Sequence, residues 1–255
     1  MSLDQTHAKW LDSKIVGDKF LIQTYIPDQK TVPTDSLPLV FVLDADMSFG
    51  LVYDIVRWLN WGREIPYVAI VGISYGLGQN DWWAKRSRDY SESKDLTKHW
   101  GDWPLAGGAA NFKNFIEKEL FPFLGNEYNL KGGSRTIIGH SFGGLLCADV
   151  LLSKPELFHN YIILGPTLIW NDKEIFKQES KFALNHSTLN ANVFTAIAKL
   201  DNEDITIPWT EFLDQVKSRN YKGLTLKTWI IEDEDHLSML PVAVTRGLKS
   251  TLNKK

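Results

Sequence analysis

Solid apolar runs recur along this chain at intervals. Residues 39–43 (Leu-Val-Phe-Val-Leu) form the first, and residues 67–73, 135–138, 161–164, 193–197 and 224–231 repeat it. Runs without polar alternation are what strands need when both of their faces are covered. Between them lie stretches with helical spacing, near residues 49–60, 109–122, 142–153, 208–218 and 238–252. Strands alternating with helices predict an α/β fold: a mostly parallel central sheet with helices on both faces. Ahead of it, residues 14–26 carry apolar runs on either side of Gly17-Asp18, which predicts an antiparallel N-terminal hairpin. No repeat, low-complexity tract or Pro/Gly/Ser-rich linker divides the sequence, so residues 1–255 are expected to form one domain.

Residues 76–106 break the alternation. They show no clear period and predict a long insert loop. Four tryptophans fall inside it, Trp82, Trp83, Trp100 and Trp103. Aromatic surface on that scale packs against something. The insert is therefore either a structural lid or an aromatic wall, and on the second reading Trp82, Trp83 and Trp103 are candidate substrate contacts. Arg86, Arg88 and Asp89 in the same insert either steer an acidic substrate or, in the case of Arg88 and Asp89, anchor the loop.

Composition mainly excludes partners. A formal charge of -3 leaves no basic surplus for neutralising phosphates, so no nucleic-acid partner is expected. The single cysteine, Cys147, allows neither an internal disulfide framework nor a thiolate zinc cage. It lies inside a predicted helix, where a packing role is expected. Gly76-Leu-Gly78 lacks the third glycine of a dinucleotide turn, and no Gly-Lys pair exists for a phosphate loop. No apolar run approaches membrane-spanning length and the first ten residues lack a basic-then-apolar leader pattern. A cytoplasmic protein with no membrane association, no cofactor and no metal is the expectation. The sequence leaves the oligomeric state open.

The strongest chemical signal is Gly139-His140-Ser141-Phe142-Gly143-Gly144. It is a G-x-S-x-G motif set between the run at 135–138 and the helical stretch 142–153, the strand–turn–helix context that a nucleophile elbow requires. Small residues flanking the serine let strand and helix come close while the hydroxyl stands exposed on a strained turn. A serine nucleophile needs a base, and the base needs an orienting acid, in the chain order serine, acid, histidine. Downstream of Ser141 stand His159, His186 and His236. Only His236 follows a clear strand by a short loop, Glu232-Asp-Glu-Asp235, which puts it on the same sheet edge as Ser141. That acidic loop lacks the glycine punctuation of a calcium site. The acid should follow the strand at 193–197, where Asp201, Glu203 and Asp204 are available. Asp201 is preferred, because Asp204 lies nearer the helix that Pro208 is expected to open. Two backbone N–H groups should hold the oxyanion: that of Phe142, and one from the loop Asp44-Ala-Asp-Met47.

These residues resemble a known family. From about residue 37 to residue 250 the chain is similar to the Putative esterase branch of the α/β-hydrolases, which includes S-formylglutathione hydrolases, siderophore trilactone esterases, some feruloyl esterases and cell-wall mycolyltransferases. Leu43-Asp44-Ala45 resembles the family's Leu-Asp-Gly, and Arg88-Asp89-Tyr90-Ser91 its Arg-Asp-Tyr-Thr. Gly107-Gly108-Ala109 with Phe112, Glu119, Leu120 and Pro122 matches the helix before the elbow. Pro155-Glu-Leu-Phe158 and Gly165-Pro-Thr-Leu-Ile-Trp170 resemble Pro-Asp-x-Phe and Ser-Pro-Ser-x-Trp-Trp, closest to the siderophore-esterase-like members. The resemblance implies an α/β-hydrolase fold, with Ser141 as nucleophile, His236 as base, an acid at Asp201, and Asp46 with Phe142 as oxyanion donors. Some siderophore esterases resemble a dyad with no effective acid. Ala45, Glu92 and Gly165 depart from the pattern, each at a place where substrate could touch the site.

The expectation is thus a cofactor-free serine carboxylesterase that acts on a small-molecule ester through a Ser-Asp-His triad and an acyl-enzyme. The alternatives are a thioesterase or acyltransferase using the same triad, or a non-catalytic binding protein that keeps the fold.

Overall fold

One eight-stranded sheet organises the described part of the chain, in the order β1-β2-β4-β3-β5-β6-β7-β8. The computed structural model describes residues 3–28, 33–76 and 79–252; Leu77 and Gly78 of the glycine turn considered above lie outside them. The strands are β1 (Thr6–Ser13), β2 (Asp18–Tyr25), β3 (Leu39–Val42), β4 (Ala69–Ser74), β5 (Arg135–His140), β6 (Asn160–Leu164), β7 (Thr188–Ala198) and β8 (Lys222–Ile231). β1 and β2 pair antiparallel, β2 meets β4 antiparallel, and every remaining pairing is parallel. All residues of β3, β4 and β6 are buried, which is why these strands read as unbroken apolar runs.

The hairpin lies further towards the N-terminus than residues 14–26 suggested. Its turn occupies residues 14–17, and its first strand is Thr6–Ser13. β1 is an edge strand with mostly exposed side chains, so nothing obliges it to be apolar.

Two apolar layers sandwich the sheet. α1 (Ala45–Trp61) and α8 (Leu240–Thr251) cover one face, packing Val52, Val56, Val244 and Leu248 against Val40, Ile70 and Ile162. The opposite face carries α2 (Gln79–Tyr90), α3 (Ala109–Phe115), α4 (Phe121–Tyr128), α5 (Phe142–Ser153), α6 (Trp170–Asn185) and α7 (Glu203–Arg219). A π-helical stretch, Ile116–Leu120, joins α3 to α4. Among the described residues no helix is long and apolar enough to cross a membrane.

Three features differ from the sequence pattern. The insert at 76–106 is not wholly loop, because Gln79–Tyr90 is helical. Its inward face includes Trp82, Arg86, Asp89 and Tyr90, so two charges interrupt the apolar spacing. α6 was invisible for the same reason, since its buried face runs Ile175, Glu179, Phe182. Glu179 is fully buried and accepts hydrogen bonds from Gln215, Arg219 and the Tyr221 hydroxyl. Lastly, α7 starts at Glu203, with its N-cap Asn202 side chain accepting the Ile205 N–H at 3.2 Å. Pro208 therefore sits inside the helix and does not open it.

α5 is buried on every side from Phe142 to Leu152, as expected of a helix apolar all round. Its one charge, Asp149, is matched by the buried Lys113 of α3, which also bonds Ser153 Oγ at 2.9 Å and Glu92 at 3.1 Å. Removing one partner of such a pair strands the other charge in the interior. Lys113→Met is expected to destabilise the protein by about 3–5 kcal/mol, whereas Lys113→Met with Asp149→Leu recovers most of that loss. Urea unfolding of the two variants checks this, and equal stability of single and double variants would refute it.

Candidate active site

β3 and β5 are parallel neighbours in register, Val42 beside Ile138, and the strand order reverses between them. Such a reversal leaves a crevice outside the carboxyl ends of the strands. α1 and α5 both start at this edge.

β5 runs into Ser141, which has φ 58° and ψ -118°, a conformation that costs on the order of 1–3 kcal/mol for a residue with a side chain. Three bonds over-determine it. The Ser141 N–H donates to Leu164 O at 2.9 Å, and its carbonyl accepts from the N–H groups of Leu145 (3.0 Å) and Thr167 (3.2 Å). Gly139 is needed for a steric reason: a Cβ there would lie 2.1 Å from the Gly143 carbonyl oxygen. The Ser141 hydroxyl rests 3.3 Å from Thr167 Oγ1.

Phe142 is the first residue of α5 and Asp46 the second of α1. N–H groups in a first helical turn have no acceptor within the helix, and they carry the positive end of its dipole. The Asp46 carboxylate pins its turn to the end of β4 by accepting from the N–H groups of Tyr75 (2.8 Å) and Gly76 (2.9 Å). Asp44, at φ 53°, faces Arg86 of α2 in a two-point ion pair, Nε–Oδ1 2.8 Å and Nη2–Oδ2 2.9 Å. Arg86 Nη2 also donates to the His140 carbonyl at 3.0 Å. Burial pushes the Asp44 carboxyl upward, and the adjacent guanidinium opposes that shift. Four rings surround that guanidinium, Trp82, Trp83, Tyr90 and Phe142, with centroids 5.0 to 5.5 Å away. Arg86 thus ties both exit turns to the insert. Arg88 and Asp89 anchor it elsewhere, pairing with each other at 2.7 Å and, for Arg88, with Asp18 at 2.8 Å.

Asp201 and His236 come together from the ends of β7 and β8, with Oδ2 2.7 Å from Nδ1. The Asp201 carboxylate is almost sealed from solvent. Asp204 turns away and meets His99 Nε2 at 2.7 Å, while Glu203 is exposed. His159 accepts from the Arg135 N–H and His186 stacks on Phe182, both remote from Ser141. His140 packs on His236 with ring centroids 4.4 Å apart. Its Nε2–H donates to the His236 carbonyl at 2.8 Å. Burial, with His236 and Arg86 close by, lowers its pKa to about 3. Cys147 is fully buried in α5, and burial holds its thiol protonated.

The cleft over these groups has a volume of about 520 Å³, and Trp83, Trp100, Trp103, Phe142 and Ile205 wall it. Ser141, Thr167, Asp201, Asn202 and His236 supply its polar lining. Trp82 does not belong to the cleft: successive residues of a helix point about 100° apart, so Trp82 is buried behind Trp83 while Trp83 faces outward. α6 holds the wall in place. Three consecutive left-handed residues, Asn171, Asp172 and Lys173, begin it after Trp170. The Trp170 ring packs on Phe142 at 4.8 Å and its Nε1 bonds Ser93 O. Asn171 holds Ser93 Oγ and the Leu96 N–H.

Pattern reading missed Asn202 and Ile205, which no motif marks, and Thr167, which stands within the Gly-Pro-Thr-Leu-Ile-Trp segment. None of the three departures from the family pattern lines the cleft. Ala45 is buried under β4, Glu92 binds Lys113, and Gly165 lies behind His236. Gly165 has φ 46°, and a Cβ there would be 3.1 Å from His236 Cε1. A smaller cavity of about 40 Å³ between α5 and α7 is lined by apolar side chains and Thr195, without a titratable group.

The family model described as Putative esterase matches residues 13–222. The chain is 32% identical over 235 residues to the ferri-bacillibactin esterase BesA of Bacillus subtilis, covering 87% of this chain and 81% of that protein. The crystal structure of the BES protein from Bacillus cereus superposes with a TM-score of 0.88 at 26% identity, covering 100% of this chain and 97% of that one. An IroE-like serine hydrolase from Shewanella oneidensis has a TM-score of 0.82 at 25% identity, covering 96% and 79%.

His140 makes stability depend on pH. Its folded pKa of about 3 lies below the ordinary 6.5, so between these values the unfolded chain binds more protons. Stability should therefore fall as pH drops below about 6.5, with His140 contributing a slope of up to about 1.4 kcal/mol per pH unit. His140→Gln keeps an N–H donor and cannot titrate; urea unfolding across this range should show a correspondingly shallower slope. An unchanged slope would contradict the assignment.

Proposed function

The chain belongs to the Putative esterase family of the α/β-hydrolases and is an enzyme acting on ester bonds, and we propose that it is a carboxylesterase working through Ser141, His236 and Asp201 with an acyl-enzyme intermediate. One observation carries the reading: a buried carboxylate bonded to His236 Nδ1 at 2.7 Å, in the cleft that also holds Ser141 on its strained turn. With Nδ1–H donated to Asp201, the lone pair of Nε2 is left free to act as base.

Ser141 leaves its contact with Thr167 and gives its proton to Nε2 as Oγ attacks the ester carbonyl. The carbonyl oxygen gains charge between the N–H groups of Phe142 and Asp46, both at helix N-termini and both fixed before the reaction starts. His236 then returns the proton to the departing alcohol. Water repeats the sequence on the acyl-enzyme and releases the acid. The relatives named as siderophore esterases support a siderophore-type ester as the substrate.

A fluorophosphonate probe should label the wild type and leave Ser141→Ala unlabelled; a folded wild type that resists labelling would refute the nucleophile. Asp201→Asn is expected to lower kcat by about 10⁴ through loss of the correct histidine tautomer. Asp204→Asn, which loses only its contact with His99, should stay within a few-fold of wild type. Steady-state kinetics of the two variants on one ester separates them, and an undiminished Asp201→Asn enzyme would overturn the triad.

A further inference from the structure

We propose that the cleft selects its ester by charge, admitting uncharged or cationic esters with a flat aromatic flank and rejecting polyanionic ones. This rests on the reading of Ser141 as the nucleophile and adds the substrate class. Three indole rings, Trp83, Trp100 and Trp103, with Phe142 beneath them, offer broad faces on which a flat group stacks. No lysine or arginine is among the described residues that line the cleft.

Arg86, behind Trp83 and Phe142, cannot meet a substrate anion. Its side chain is 4% exposed, its charge is taken by Asp44, and the rings of Trp83 and Phe142 lie over it. On the opposite side, the two segments that deliver Asp201 and His236 are strongly acidic. Residues 199–204 and 232–236 contain seven carboxylates (Asp201, Glu203, Asp204, Glu232, Asp233, Glu234, Asp235) against one lysine, Lys199. Their formal charge of -6 exceeds the -3 of the whole chain, so the remainder is net positive. The tryptophan-bearing loop does not compensate. Residues 91–103 carry Lys94 and Lys98 against Glu92, Asp95 and Asp102, and Lys98 pairs with Asp102.

A negatively charged ester thus meets aromatic walls without a counter-ion and a field of its own sign. Each added negative charge should cost about fivefold in kcat/KM at low ionic strength, shrinking as salt screens the field within about 10 Å.

The test uses three aryl esters of one acyl size: uncharged, with a trimethylammonium group, and with a sulfonate. The sulfonate ester should show the lowest kcat/KM, through KM, with the gap closing as sodium chloride is added. Glu203→Gln with Glu232→Lys, two exposed positions outside the catalytic groups, should raise kcat/KM for the sulfonate ester several-fold and leave the uncharged ester unchanged. Equal turnover of all three esters, preference for the sulfonate, or a charge variant without effect would overturn the proposal. Ser141→Ala run beside them keeps the two readings apart: activity that survives it counts against the nucleophile, whatever the order of the esters.

Discussion

The Arg86 guanidinium is the joint on which the candidate active site depends. It is bound at two points to Asp44 at the exit of β3, donates to the carbonyl of His140 at the exit of β5, and lies among four aromatic rings. Phe142 and Asp46, whose N–H groups are proposed to hold the oxyanion, belong to the turns that follow these two exits. One buried cation therefore fixes the separation of two helix N-termini. A hydrophobic residue could fill the same volume, but only a planar, permanently charged fork bonds a carboxylate and a backbone carbonyl together. Loss of either partner would leave a charge without solvent, so the arrangement holds as a unit.

Strain and neutrality surround that joint. Ser141 is held at positive φ by three backbone hydrogen bonds, and Asn171, Asp172 and Lys173 share the left-handed region beneath the tryptophan wall. Non-glycine residues adopt such conformations only where the surrounding structure over-determines them. His140 adds a neutral ring. Buried and unprotonated, it supports the His236 carbonyl without adding positive charge beside the imidazole proposed as base. Ser141 is thus framed by groups whose charge is either cancelled, as in Asp44–Arg86, or suppressed, as in His140.

Much of this was legible in the residue pattern. The fully buried strands β3, β4 and β6 announced themselves as apolar runs, because a strand covered on both faces has no reason to carry polar side chains. The elbow at Ser141 was readable because its sterics leave few alternatives to small flanking residues. β1, α2 and α6 were not read correctly. β1 lies at an edge, where solvent relaxes the demand for apolar side chains. α2 and α6 turn Arg86, Asp89 and Glu179 inward, and a charge at a core position looks like surface until its partner is known.

The sequence by itself determined the parallel α/β sheet, the elbow around Ser141 and the set of acids and histidines available to it, because each follows from local sterics or from periodicity along the chain. Only the tertiary structure decided which of them meet. Asp201 reaches His236 while the nearby Asp204 goes to His99; Trp83 faces the cleft while its neighbour Trp82 is buried behind it; and Arg86 serves the two exit turns and not a substrate. Those outcomes depend on the direction in which a side chain leaves its helix or loop and on pairings between residues far apart in the chain. Local pattern carries no record of either.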